Sequence, residues 1–91
     1  RRGAIAELRL ARPPVNALDP ALCDALVAGI DDAIASGAQG IVLAGGPKVF
    51  SAGLDVPFLL SLGEDRAAVL DAWQRFFAAT RALAGCPVPV V

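Results

Sequence analysis

The residues best suited to chemistry lie between positions 41 and 56. Ile41-Val42-Leu43-Ala44 is an apolar run of strand type, and Gly45-Gly46-Pro47 breaks it sharply. Phe50-Ser51-Ala52-Gly53-Leu54-Asp55 then leads, through small residues, into a second apolar run starting at Val56. A glycine without a Cβ lets a ligand approach the main chain closely. N–H groups left unpaired in such a loop can donate to an oxyanion as its charge develops. Backbone chemistry is thus the first expectation. Side-chain alternatives are weaker. Ser51 has no histidine in the chain to activate it, so a Ser-His nucleophile is ruled out within these residues. Asp55 is a candidate carboxylate, but a helix N-cap is its better-supported role. No histidine and no Cys-x-x-Cys spacing supports a metal site. The plainest alternative for Ala52-Gly53-Leu54 is a tight turn that packs a helix against a sheet.

This segment resembles the F-S-A-G-x-D signature of the crotonase superfamily, the enoyl-CoA hydratases and isomerases. Upstream, Arg12-Pro13-Pro14-Val15-Asn16-Ala17-Leu18 resembles that family's R-P-x-x-N-A-L segment. A helix and a strand separate the two, as in the family, and the similarity covers nearly all of the chain. The resemblance implies an α/β fold, the crotonase-like ββα spiral, incomplete in this chain. Residues 1–91 would form the N-terminal portion of a single crotonase-like domain. It also implies that the backbone N–H of Leu54 is one donor of an oxyanion hole for a thioester enolate. Ala52, Gly53, Leu54, Asp55 and Val56 would line the substrate, and Lys48 and Arg12 would be candidate contacts to a CoA phosphate. The second oxyanion donor and the catalytic acid or base would follow Val91. Coenzyme A enters as part of the substrate, with no separate cofactor, and a homotrimer or hexamer is expected. Pro14-Val15-Asn16 and Phe50 to Val56 lean toward the Δ3-Δ2-enoyl-CoA isomerase branch, with hydratase chemistry still open. The rival readings are a non-catalytic crotonase-like scaffold and a small stand-alone α/β module.

Composition narrows the setting. The hydrophobic share of the 91 residues is 56%, above the roughly 45–50% usual for globular chains. No apolar run approaches the ~18–20 residues that a membrane span needs. Partner surface or further chain is the expected cover for the excess, and the chain, starting at Arg1 and stopping at Val88-Pro89-Val90-Val91, reads as the N-terminal part of a longer protein. Eight basic and nine acidic residues give a net charge of −1 without a basic cluster, so nucleic acid is not an expected partner. No signal peptide is visible. Cys23 and Cys86 are isolated, which reads as small buried hydrophobes in a reducing cytoplasm.

The elements that must position the loop follow from local signals. Residues 3–10 read as a strand in which Ile5, Glu7 and Arg9 alternate with Ala4, Ala6, Leu8 and Leu10, one face buried and one partly wet. Arg12-Pro13-Pro14-Val15 is a stiff extended exit, and Asn16 can hold a turn by bonding local backbone. Asp19-Pro20 opens a helix with the apolar stripe Leu22, Leu26, Ile30 and Ile34, flanked by Val27 and Ala33, and Gly37 ends it. A strand at Gly40–Ala44 completes a βαβ-like unit. Asp55 can cap a short helix with Pro57 in its first turn. A third helix follows Glu64-Asp65. Its face of Val69, Trp73, Phe76 and Leu83, with Leu70 and Phe77 beside it, reads as core packing, and as an acyl-chain pocket wall in the functional alternative. Residues 87–91 begin a strand, and its two prolines allow an edge or start position but not an ordinary central ladder.

Overall fold

A computed structural model describes residues 4–91. The first strand, β1, runs Ile5–Arg9, inside the expected span; Gly3 lies outside the described residues. Its exposed residues are Ile5, Glu7 and Arg9, while Ala6 and Leu8 turn inward. The chain then crosses through helix α1, Pro20–Ala35, to strand β2, Gly40–Ala44. β1 and β2 pair in parallel with Ile5 opposite Gly40 and Arg9 opposite Ala44. The βαβ expectation therefore holds. Asp19 caps α1 by accepting from the Leu22 N–H at 2.9 Å, as its place before Pro20 implied.

The chain comes back to the sheet at its end. Ile41 donates to Pro89 O at 2.9 Å, and Val91 donates to Ile41 O at 3.0 Å, on the edge of β2 away from β1. Pro89 offers a carbonyl but no N–H, so the pairing begins there and not earlier.

Two helices complete the chain: α2, Val56–Ser61, and α3, Arg66–Ala84. Asp65 caps α3 through the Ala68 N–H at 3.1 Å. The core joins Cys23, Leu26, Ile30 and Ala33 of α1 to Ala38, Ile41 and Ala79. Two sequence expectations need correction here. The buried stripe of α1 carries Cys23 in place of Leu22, and Ala33 in place of Ile34. On α3 the buried residues are Ala72 and Ala79, with Phe76 and Leu83 partly buried against the core. Alanines let the backbones of α1 and α3 approach, and the large side chains are displaced to the flank. Leu70 is 59% exposed and Phe77 48% exposed, so neither is a core residue. Trp73, Phe76 and Phe77 instead pack on one another, with ring centroids 5.7–6.0 Å apart.

Burial pushes the Cys23 thiol up from its ordinary value, and the carboxylates of Asp19 and Asp24 add to the effect. It packs as a neutral small hydrophobe. Among the described residues no helix is long and apolar enough to cross a membrane.

Candidate functional site

The two motifs meet at the end of β2. Asn16 is 4% exposed with a φ of +54°, a backbone conformation that asparagine tolerates better than most residues. Its Oδ1 accepts from the Arg12 N–H at 2.7 Å, and its Nδ2 donates to Phe50 O at 3.0 Å. Ser51 Oγ donates to Asn16 O at 2.7 Å and accepts from the Gly53 N–H at 3.1 Å. The Ala52 N–H donates to Val15 O at 2.8 Å. Residues 12–18 and 50–55 are thus tied together by side-chain and main-chain bonds, although a helix and a strand separate them in sequence.

Close approach dictates the glycine at 45. A Cβ there would lie 2.4 Å from both the Cα and the carbonyl oxygen of Phe50. Only a residue without a side chain lets the loop fold back onto the strand end at this distance. Gly53 has a φ of +83°, the left-handed region that other residues avoid.

Leu18 and Leu54 form an isolated parallel bridge. Leu18 donates to Gly53 O at 2.7 Å, and Asp55 donates to Leu18 O at 3.0 Å. The Leu54 N–H shares its peptide plane with the Gly53 carbonyl, and in a trans peptide the two point in opposite directions. The carbonyl faces Leu18, so the Leu54 N–H faces away from it. Of the amides from Ala52 to Asp55, the other three have acceptors; among the described residues Leu54's has none. Leu54 itself is half-buried. An N–H withheld from the fold in this way is free to serve a ligand.

Asp55 is buried, at 8% exposure, and is fully engaged. Its Oδ1 accepts from the Phe58 N–H at 3.0 Å, capping α2, and its Oδ2 lies 2.9 Å from Arg12 Nη2. Arg12 also donates from Nη1 to Ala17 O at 2.8 Å and places Nε 3.4 Å from Asp19 Oδ2. Its guanidinium therefore serves acceptors inside the chain. Lys48 is exposed on the loop, and among the described residues it has no ion-pair partner. Val56 and Ala52 are exposed beside Leu54. The sequence reading missed the Arg12–Asp55 pair and the long reach of Asn16. Both couple positions more than thirty residues apart, and only the co-occurrence of the two motifs hinted at them.

A groove lies past the far end of α2. It measures about 740 Å³ and is lined by Gly63, Glu64, Arg66, Val69, Leu70 and Trp73. Its wall is largely apolar, and Leu54 is not part of it.

Comparison with known proteins matches the family described as enoyl-CoA hydratase/isomerase over residues 1–91. The peroxisomal bifunctional enzyme of Cavia porcellus is 32% identical over 79 residues, covering 80% of this chain and 11% of the relative. Among solved structures, a "probable enoyl-CoA hydratase" from Mycobacterium tuberculosis H37Rv superposes with a TM-score of 0.85 at 37% identity, covering 99% of this chain and 37% of that one. An enoyl-CoA hydratase/isomerase family protein from Silicibacter pomeroyi gives 0.83 at 30% identity, covering 97% and 38%. The chain thus spans well under half the length of each of these proteins.

Proposed function

Because this chain belongs to the enoyl-CoA hydratase/isomerase family, we propose that it supplies one half of an oxyanion hole for acyl-CoA chemistry. The Leu54 N–H donates to the thioester carbonyl oxygen. When a proton leaves Cα, or water adds at Cβ, negative charge collects on that oxygen and the hydrogen bond strengthens. A second donor and an acid–base group complete the reaction, and the reading places both in sequence following Val91. Whether the product is a hydrated or a shifted double bond depends on that acid–base group. The carrying observation is the Leu54 N–H, left without an acceptor among the described residues and beside a left-handed glycine.

The same reading gives the groove of Val69, Leu70 and Trp73 to the acyl tail. Helix α2 starts two residues after Leu54 and is six residues long, a rise of about 9 Å. A short acyl chain bound at Leu54 would not extend past it. Trp73→Ala is therefore expected to raise KM for an octanoyl-type thioester about tenfold, while a four-carbon thioester changes little. Steady-state kinetics across chain lengths checks this. Lys48, exposed on the loop, is assigned to a CoA phosphate as a point charge.

The experiment that tests the function is calorimetric titration of the full-length protein with acyl-CoA esters of four to sixteen carbons. Saturable binding of at least one is the expected result. Absence of binding at every length would remove the enzymatic reading and favour the non-catalytic scaffold.

A further inference from the structure

We propose that Arg12 is a positioning residue that sets the direction of the Leu54 N–H by bracing both sides of the Leu18–Leu54 bridge. The inference rests on the oxyanion role given to Leu54 above. On one side of the bridge the guanidinium holds the two neighbours of Leu18: Ala17 through its carbonyl at 2.8 Å, and Asp19 through its carboxylate at 3.4 Å. On the other side it holds Asp55, the residue after Leu54, at 2.9 Å. Asp55 is pinned a second time by its bond to the Phe58 N–H. The Gly53–Leu54 peptide plane is pinned through Gly53 O and Leu18 N. Leu54 therefore sits between two anchored neighbours, and Arg12 joins the anchors.

Only arginine suits this place. Its planar fork presents donors in fixed directions and can serve Ala17, Asp19 and Asp55 together. A lysine ammonium is a single point with a flexible stem. Removing Arg12 leaves the Asp55 carboxylate buried without its cation, an unfavourable state that relaxes by turning toward water. That motion carries the Asp55 backbone with it and rotates the neighbouring peptide. Donors to a developing oxyanion lose their effect with small misplacements, so the loss falls on kcat and not on substrate affinity.

The test uses the full-length protein with Arg12→Ala, Arg12→Lys, Asp55→Asn and the Arg12/Asp55 double variant. It is run with a CoA thioester and with the matching pantetheine thioester, which lacks the nucleotide phosphates. We expect Arg12→Ala to lower kcat about tenfold to a hundredfold with both substrates, with KM changing by no more than about twofold. Arg12→Lys should recover part of the loss, and the double variant should be no worse than the poorer single one. Arg75→Ala, which removes an exposed bridge to Asp24 and Asp71, should leave kcat unchanged. A rise in KM confined to the CoA ester would make Arg12 a phosphate ligand and overturn the proposal. A lower Tm with unchanged kcat would reduce it to a fold brace and also overturn it. The Leu54 amide signal in leucine-labelled protein supplies a readout apart from activity. Its resonance and exchange rate should change in Arg12→Ala; an unaltered signal overturns the proposal. An inactive wild-type protein would sink the oxyanion reading alone, and the amide signal would still decide whether Arg12 orients that N–H.

Discussion

Replacing Leu54 with proline is expected to lower kcat by about 10²–10³, or roughly 2.7–4 kcal/mol of transition-state stabilisation. Replacing it with alanine is expected to leave kcat within about threefold, because alanine keeps the donor. The contrast isolates the backbone. The Leu54 N–H bonds nothing among the described residues, so its deletion removes no hydrogen bond from the fold. Its neighbours are different: the amides of Ala52, Gly53 and Asp55 each bond within the loop or across the bridge. Proline at any of these three would damage the structure as well as the reaction. The measurement is steady-state turnover of a short enoyl-CoA, beside a urea midpoint that certifies folding. If the ring itself disturbs the loop, an amide-to-ester replacement at the same peptide removes the hydrogen and adds no bulk. Turnover within tenfold of wild type in a folded protein lacking this N–H would show that the thioester oxygen is held elsewhere.

The features legible in the sequence are those written in neighbouring residues. Asp19-Pro20 and Asp55 before Val56-Pro57 each announce an N-cap, and each aspartate accepts the first-turn amide its position implies. The apolar run 41–44 followed by glycine-glycine-proline fixes where β2 stops. The face of α3 was less legible. Helical spacing of Val69, Trp73, Phe76 and Leu83 resembles a core stripe, yet the residues buried on this helix are the small ones, Ala72 and Ala79. Periodicity reports which residues share a face, not which face lies nearest the neighbouring helix. The site was divided in the same way. Asp55 was visible as a cap because its partner, Phe58, is three residues away; its pairing with Arg12 depends on how the chain returns to itself. Asn16 announced a bond to local backbone, which the structure gives to the Arg12 N–H, but gave no sign of its reach to Phe50.

That reach makes Asn16 the position where the fold and the site share one side chain, and the largest loss of stability is expected there. Asn16→Ala removes the acceptor of the Arg12 N–H and the donor to Phe50 O in a buried setting. It also places alanine at a φ of +54°. Leaving these two part-buried partners unsatisfied costs about 1–3 kcal/mol each, and the left-handed backbone adds about 1 kcal/mol, so a loss of roughly 3–7 kcal/mol is expected. Asn16→Asp separates the contributions. It keeps an acceptor for Arg12 and tolerates the left-handed backbone, but it replaces the donor to Phe50 O with a carboxylate oxygen in a buried setting; its cost should be at least about 1–3 kcal/mol. Urea denaturation of the full-length protein measures both, with an unchanged m-value showing that the unfolding reaction is the same. The Phe50 carbonyl lies against Gly45, where there is no space for a Cβ, and this crowding leaves little room for a water to replace the lost amide. A cost below about 1 kcal/mol for the alanine variant would mean that the loop rearranges to satisfy both groups by itself. Asn16 would then merely accompany the joining of the two motifs, and the bonds from Ser51 to Asn16 O and from Ala52 to Val15 O would have to hold them together.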